Sequence, residues 1–337
     1  MRLYVVKVSA LVFCVVGCGS NSLMRPVSFE EEREANVRQI GGSLEVGRPV
    51  DICKEGEFLF VLAYTPDCWL HSYNKNTGEK VSESIKVGRG PGEGVNLRSM
   101  DYFEDEDNLF VFDKELCKTL VYHLDGKTGE AIFKQEIQHP LNGIINNCHH
   151  FEAGKCLYEG YLQGGDKNIR FTLSDGIEAI DTYSNYPEVD RECDMIAYQL
   201  ASVKGFPEKG MVVSTTLYGA VLECFRIADD KIEQTAVRII DKPEIDTSLP
   251  YVDIKAGHEY GFRMACPTND YIYVAHLDSD AISCKEIYAF DWVGQEKIKY
   301  TTDRSVFLLC PGDNQDELFG ISITLEGECA LVNIDLD

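Results

Sequence analysis

Six short apolar runs recur along the chain at nearly even spacing. They are 59–62 (LFVL), 109–112 (LFVF), 157–158 (LY), 211–213 (MVV), 271–274 (YIYV) and 318–321 (LFGI), and their first residues lie 50, 48, 54, 60 and 47 positions apart. Most follow a polar turn, such as Glu106-Asp107-Asn108 or Pro207-Glu208-Lys209-Gly210. Turn-bounded apolar runs of strand length are the signature of hairpins. Behind the first two runs a Gly-containing turn recurs as well, at Asn76-Thr77-Gly78-Glu79 and Lys127-Thr128-Gly129-Glu130, between two further strand-like stretches. A repeated unit of about 50 residues with four strands is the pattern of propeller blades. The expected fold is all-β: a six-bladed β-propeller of four-stranded antiparallel blades. The last copy supplies only three strands, at 306–311, 318–324 and 329–335. Residues 38–46 have no unit of their own. This N-terminal strand is expected to complete the last blade, since closing the ring removes exposed edges. Helical patterning is scarce, and only 30–39 reads as a short helix, outside the repeats.

The first residues carry an address. Arg2 and Lys7 precede an apolar run, 8–16, that is too short to span a bilayer. Val15-Val16-Gly17-Cys18 then resembles the lipobox of bacterial lipoproteins, in which the Cys becomes the acylated N-terminus. Cys18 is the expected lipidation site. The expected division is a signal peptide at 1–17, a tether at 18–37 and the propeller at 38–337. Acyl chains on Cys18 would hold the protein on a membrane. Gly19-Ser20-Asn21-Ser22 lacks the acidic cluster of a surface-export signal, so the expected place is the outer membrane, facing the periplasm.

Composition narrows the partners. Hydrophobic residues make up 44% of the chain, enough for a packed core, and the net charge is −24. So acidic a surface repels phosphate backbones and sets nucleic acid aside. Thirteen cysteines include Cys14 and Cys18, leaving eleven in the mature chain. An odd, scattered set is no disulfide framework, and mostly buried free thiols are expected. No CxxC zinc spacing occurs. Cys148-His149-His150 is read as no metal site, because adjacent strand residues face opposite ways.

One turn is not repeated: Gly88-Arg89-Gly90-Pro91-Gly92-Glu93. Its glycines permit positive φ, Pro91 fixes its own, and an Arg89–Glu93 ion pair is expected to pin it. With the lipobox and the strand at 109–113, the turn carries a resemblance. The chain resembles the six-bladed β-propeller lipoproteins of Bacteroides-type bacteria, related to TolB-like and NHL propellers. That resemblance implies the fold and an envelope anchor, and brings no activity or catalytic residues. Arg89, Gly90, Pro91, Gly92 and Glu93 form a blade-to-blade crossing and are the candidate ligand contacts.

No nucleophile elbow, HExxH, P-loop or dinucleotide fingerprint is present. The acidic loops 104–107 and 278–280 lack the spaced ligands of a calcium loop. The expected function is therefore a non-enzymatic binding module for an envelope protein, peptide or glycan, with no metal and no cofactor. The rival is a metal-dependent hydrolase or lactonase whose axial ligands would come from Asp51, Asp101, Asn146, Asn147 and Glu259. Tyr64, Trp69, Tyr218, Tyr251 and Trp292 are candidates for a glycan platform.

Overall fold

The computed structural model describes residues 26–337 except 104–106, 140–142, 152–153, 163–167, 177, 247, 249–252, 255–257, 259 and 278–282. Cys18, the expected signal peptide at 1–17, Tyr251, Glu259 and most of both acidic loops lie outside the described residues. The first element, β1 (Glu31–Ser43), belongs to the end of the ring. Blade 1 follows as β2 (Pro49–Glu55), β3 (Phe58–Ala63), β4 (Cys68–Asn74) and β5 (Lys80–Lys86). Blade 2 is β6 (Leu97–Phe103), β7 (Asn108–Asp113), β8 (Lys118–Asp125) and β9 (Glu130–Gln138). Blade 3 is β10 (Gly143–His150), β11 (Cys156–Leu162), β12 (Phe171–Ser174) and β13 (Ala179–Tyr183). A short helix, α1 (Met195–Gln199), leads into blade 4: β14 (Ser202–Phe206), β15 (Met211–Thr215), β16 (Val221–Ala228) and β17 (Lys231–Ile239).

A two-residue ladder, β18 (Ile245–Asp246) with β19 (Asp253–Ile254), precedes blade 5. That blade is β20 (Phe262–Pro267), β21 (Ile272–His276), β22 (Glu286–Phe290) and β23 (Glu296–Thr302). Blade 6 is β24 (Val306–Pro311), β25 (Glu317–Ile323) and β26 (Cys329–Asp335). Each blade is antiparallel in chain order. Every one of the six apolar runs falls on the second strand of its blade. The reason is coverage. β3 is buried along its whole length, whereas outer β9 is mostly exposed. The core clusters lie between blades: Phe60, Leu62, Met100 and Val111 between blades 1 and 2, and Val213, Leu222, Phe262 and Val274 between blades 4 and 5. A second strand is covered on both faces and so reads as an unbroken apolar run.

Ring closure goes further than expected. Asn36–Ser43 pairs antiparallel with β26 and supplies the missing fourth strand. Residues 31–35 continue the same strand and pair in parallel with β23, Glu31 opposite Ile298 and Ala35 opposite Thr302. One strand thus ties blade 5 to blade 6. The stretch 30–39 is accordingly not a helix, and the strand starts inside the expected tether. Its Glu, Arg, Ala and Gln favour helix on their own, but two open strand edges offer its backbone a full set of hydrogen bonds.

Candidate functional site

The inner strands β2, β6, β10, β14, β20 and β24 contact one another in a closed ring around the axis. Five of them, all but β14, shift register near their start: between Pro49 and Asp51, Leu97 and Ser99, Ile145 and Asn147, Phe262 and Ala265, and Val306 and Leu308. A β-bulge leaves an extra residue outside the ladder and re-aims it. The bulges sit at the mouth where the chain crosses from blade to blade.

The axis itself is filled by charge pairs. Lys204 on β14 reaches across and donates to the Asp51 carboxylate at 2.7 Å and to the Met100 carbonyl at 2.6 Å. His149 on β10 binds Asp101 through Nδ1 at 3.0 Å and Glu159 through Nε2 at 2.9 Å. All of these side chains except the partly covered Lys204 are buried. Burial opposes the imidazolium, but Asp101 and Glu159 outweigh it and hold His149 up at about 10. Burial likewise opposes the Asp101 charge, and His149 nevertheless draws its carboxyl down. Of the rival's axial ligands, Asp51 and Asp101 do reach the channel, but each is taken by a cation. Asn146 accepts from Lys114 instead, and Asn147 donates to Glu159.

A raised histidine contributes stability that is complete below its unfolded value near 6.5 and is lost as pH rises through about 10. We expect one of the seven histidines to remain fully protonated at pH 8 in the folded protein. Nitrogen NMR of labelled histidine checks this; seven imidazoles all neutral at pH 8 would contradict the axial pairing.

The two mouths differ. On the turn side, a cavity of about 670 Å³ is lined by Lys54, Lys75, Lys204, Tyr102 and Asp313, with Cys53, Cys266 and Cys310. Its lysines are neutralised: Lys54 and Lys75 meet Asp313 at 3.0 and 2.7 Å, and Lys204 meets Asp51. Burial pushes the Cys266 thiol up to about 12 and raises Cys53 and Cys310 as well. On the crossing side, a cavity of about 550 Å³ is lined by Arg48, Arg98, Arg263 and Asn147, with Tyr64 and Trp69 at its edge. Among the described residues no carboxylate pairs with any of the three arginines. Arg98 and Arg263 are bulge residues, and Arg48 immediately precedes β2. The Arg263 Nε and the Asn147 Oδ1 are buried without a hydrogen-bond partner.

The unrepeated turn joins β5 to β6 as expected, but neither mouth is lined by its residues 88–93. Arg89 is 67% exposed and meets Glu115 at 3.3 Å, not Glu93. The Glu93 carboxylate instead accepts the Gly90 N–H at 2.7 Å. Only Gly92 uses a positive φ, of 69°. Gly88 and Gly90 serve by lacking a side chain, since a Cβ on either would meet Glu93 within 2.1 or 2.9 Å. Tyr122 donates to the Gly92 carbonyl at 2.6 Å, and the Gly92 N–H donates to Glu136 at 2.8 Å, so the turn is bolted onto blade 2. Of the aromatics, Tyr64 and Trp69 meet edge-on at 5.0 Å, with Tyr64 exposed. Trp292 stacks on Phe206, and Tyr218 lies beside Tyr260, so these serve other surfaces.

A second polar cluster is buried between blades 2 and 3. His139 follows β9, Cys148 and His150 share one face of β10, and Cys156 lies on β11. Strand alternation holds, since His149 points the other way to Asp101. The hydroxyl of Thr119 lies 2.7 Å from the His139 Nε2 and 2.9 Å from the His150 Nε2. Burial, with His150 nearby, pushes His139 down to about 3. Hydrogen bonding to Cys148 and His150 draws Cys156 down to about 5 against its own burial, whereas burial pushes Cys148 up. All eleven described cysteines are free, and nine are buried.

The profile of the TolB-like six-bladed propellers matches residues 28–311. The chain belongs to the TolB-like six-bladed propeller family. Among solved structures, this TolB-like propeller is similar to a Bacteroides fragilis protein described as exported, at 13% identity and a TM-score of 0.58, covering 91% of this chain and 99% of that one. It is also similar to the Cps50 (Swd1) propeller domain of Myceliophteria thermophila, at 10% identity and a TM-score of 0.52, covering 87% and 98%. At such identities the likeness is one of fold. No curated protein sequence matches the chain.

The sequence reading missed Arg48, Arg98, Arg263 and Lys204. The arginines do carry a signal, an Arg within one residue of an inner-strand start in three blades, but that start must be known first. Lys204 carried no signal at all.

Proposed function

We propose that this TolB-like propeller is a lipid-anchored, non-enzymatic binding module of the cell envelope. It captures a carboxylate-bearing ligand, borne on an envelope protein, a peptide or an acidic glycan, at the crossing-side mouth. The carrying observation is the set of three arginines there, without acidic partners among the described residues, in a chain of net charge −24. Elsewhere on the axis the cations are matched by carboxylates, as Lys204 is by Asp51. A guanidinium suits a carboxylate, because its fork donates two parallel hydrogen bonds. The bulges hold two of the arginines on a rigid ring, which lowers the cost of ordering them on binding. Tyr64, 46% exposed beside Trp69, adds a flat apolar wall at the same mouth.

The rival axial hydrolase draws less support, since Asp51 and Asp101 already hold Lys204 and His149. The envelope address rests on the lipobox at Cys18 and is in keeping with the exported Bacteroides fragilis protein of the same fold. No helix among the described residues is long and apolar enough to cross a membrane. Cys18→Ala is expected to move the protein to the soluble fraction on cell fractionation, and retention on membranes would count against the anchor.

The mouth is tested by calorimetric titration with a polyglutamate peptide and with oligogalacturonate. At least one should bind, more weakly as salt rises. Arg98→Ala or Arg263→Ala should weaken that binding about tenfold to a hundredfold, because a hydrogen bond to a charged group contributes about 1.5–3 kcal/mol. Arg89→Ala, outside the mouth, should leave it unchanged. Equal affinity for neutral and acidic oligosaccharides, or indifference to Arg98→Ala and Arg263→Ala, would sink the proposal.

A further inference from the structure

We propose that the buried cluster between blades 2 and 3 is a metal site for a soft or borderline divalent cation of the zinc type, with His139, Cys148, His150 and Cys156 as its ligands. The ligand atoms of His139, Cys148 and Cys156 all lie within 4.8 Å of one another. His150 lies beside this set, with Nδ1 3.5 Å from the Cys156 sulfur and Nε2 3.6 Å from the Cys148 sulfur, and one of its two nitrogens supplies the fourth donor. With zinc bonds of about 2.3 Å to sulfur and about 2.0 Å to nitrogen, a tetrahedral site sets sulfur and nitrogen about 3.5 Å apart. Two thiolates and two imidazoles are the donors such a cation takes.

The surroundings fit as well. The single hydroxyl of Thr119 lies within hydrogen-bond distance of both Nε2 atoms. A hydroxyl has one proton to give, so it accepts from at least one of the two rings. Where that ring is His150, the proton sits on Nε2 and the Nδ1 lone pair faces the Cys156 sulfur side, as ligating histidines are commonly held, whereas the His139 Nδ1 lies 3.1 Å from the Tyr158 hydroxyl and would have to exchange that contact for the metal. The four residues are all buried, and Phe110 stacks on the His150 ring at 4.7 Å. Both sulfurs would bind as thiolates and cancel the charge of the cation, so the filled site would be neutral in its apolar setting. The sequence spacing hides this, because β10 and β11 are hairpin partners that bring His150 opposite Cys156. A cation there would staple the crossing segment at His139 to blade 3.

The experiment uses the mature chain, purified under reductant and cleared of metal with a chelator. Titration with cobalt(II) should show one equivalent bound, with a thiolate-to-cobalt charge-transfer band and the strong visible absorption of a tetrahedral site, and zinc should displace it. Cys148→Ser or Cys156→Ser should weaken cobalt binding at least about a hundredfold, whereas Cys193→Ser should not. In the unmutated protein, zinc should shield Cys148 and Cys156 from alkylation, read by peptide mass spectrometry, which keeps the test independent of whether a variant folds. The proposal is overturned if the reduced, folded protein binds no cobalt. It is equally overturned if both serine variants bind cobalt as tightly as the unmutated protein, or if zinc leaves the alkylation of both cysteines unchanged.

Discussion

Lys204→Met should lower the unfolding free energy by about 3–5 kcal/mol, the usual cost of leaving one partner of a buried pair unmatched. The ammonium joins three blades: it comes from blade 4, donates to Asp51 of blade 1 and to the Met100 carbonyl of blade 2. Met fills similar space but donates nothing. Asp51, with a side chain only 3% exposed, would then be left without its cation. Pairing the change with Asp51→Asn should recover much of the loss, because removing both charges is far less costly than removing one. Urea unfolding of the two variants and the double variant gives the coupling. A loss under about 1 kcal/mol for Lys204→Met would show that the axial pair behaves as a solvated surface contact. The result also bears on the hydrolase reading. A cation supplied by the chain itself, and needed for its stability, stands where an axial metal would have to bind.

Arg170→Ala should be at least as damaging, again about 3–5 kcal/mol. Arg170, just ahead of β12, forms a bidentate pair with Glu223 of β16, at 3.1 and 2.6 Å, and both side chains are 1% exposed. It also donates to the Asn185 carbonyl, and its guanidinium lies 4.7 Å from the Tyr198 ring and 5.0 Å from the Phe171 ring. Truncation removes the counter-charge of Glu223, leaves Gln234 as a weak neutral partner and opens a void between blades 3 and 4. Arg170→Lys should keep part of the stability, since a Lys ammonium restores the charge but not the two parallel hydrogen bonds. Calorimetric melting should rank the wild type above Arg170→Lys, and that above Arg170→Ala. An alanine variant as stable as the lysine variant would mean that the charge pair contributes nothing beyond packing.

Parts of this molecule were legible from sequence for a physical reason. A propeller's second strands are sandwiched between neighbouring blades, so apolar runs such as Leu109-Phe110-Val111-Phe112 stand out at the blade period. The missing strand of the last blade was legible by subtraction. The conformation of 30–39 was not. Ala35 and Val37 are its only buried apolar residues, and two positions are too few to set a helical or a strand period. The unrepeated turn was correctly placed between blades, yet Arg89 pairs with Glu115, which lies 26 positions away.

The sequence alone determined the architecture, because burial on both faces writes itself into every blade as local composition. Which charges meet was decided only by the ring. Lys204 and Asp51 are 153 positions apart, and Arg170 and Glu223 are 53 apart. Arg98 and Arg263 face one mouth only because bulges in blades 2 and 5 re-aim them. The His139, Cys148, His150 and Cys156 cluster exists only because a crossing and a hairpin fold onto each other. Long-range pairings of this kind have no periodicity to leave in the chain, so closure of the propeller is what brings them into being.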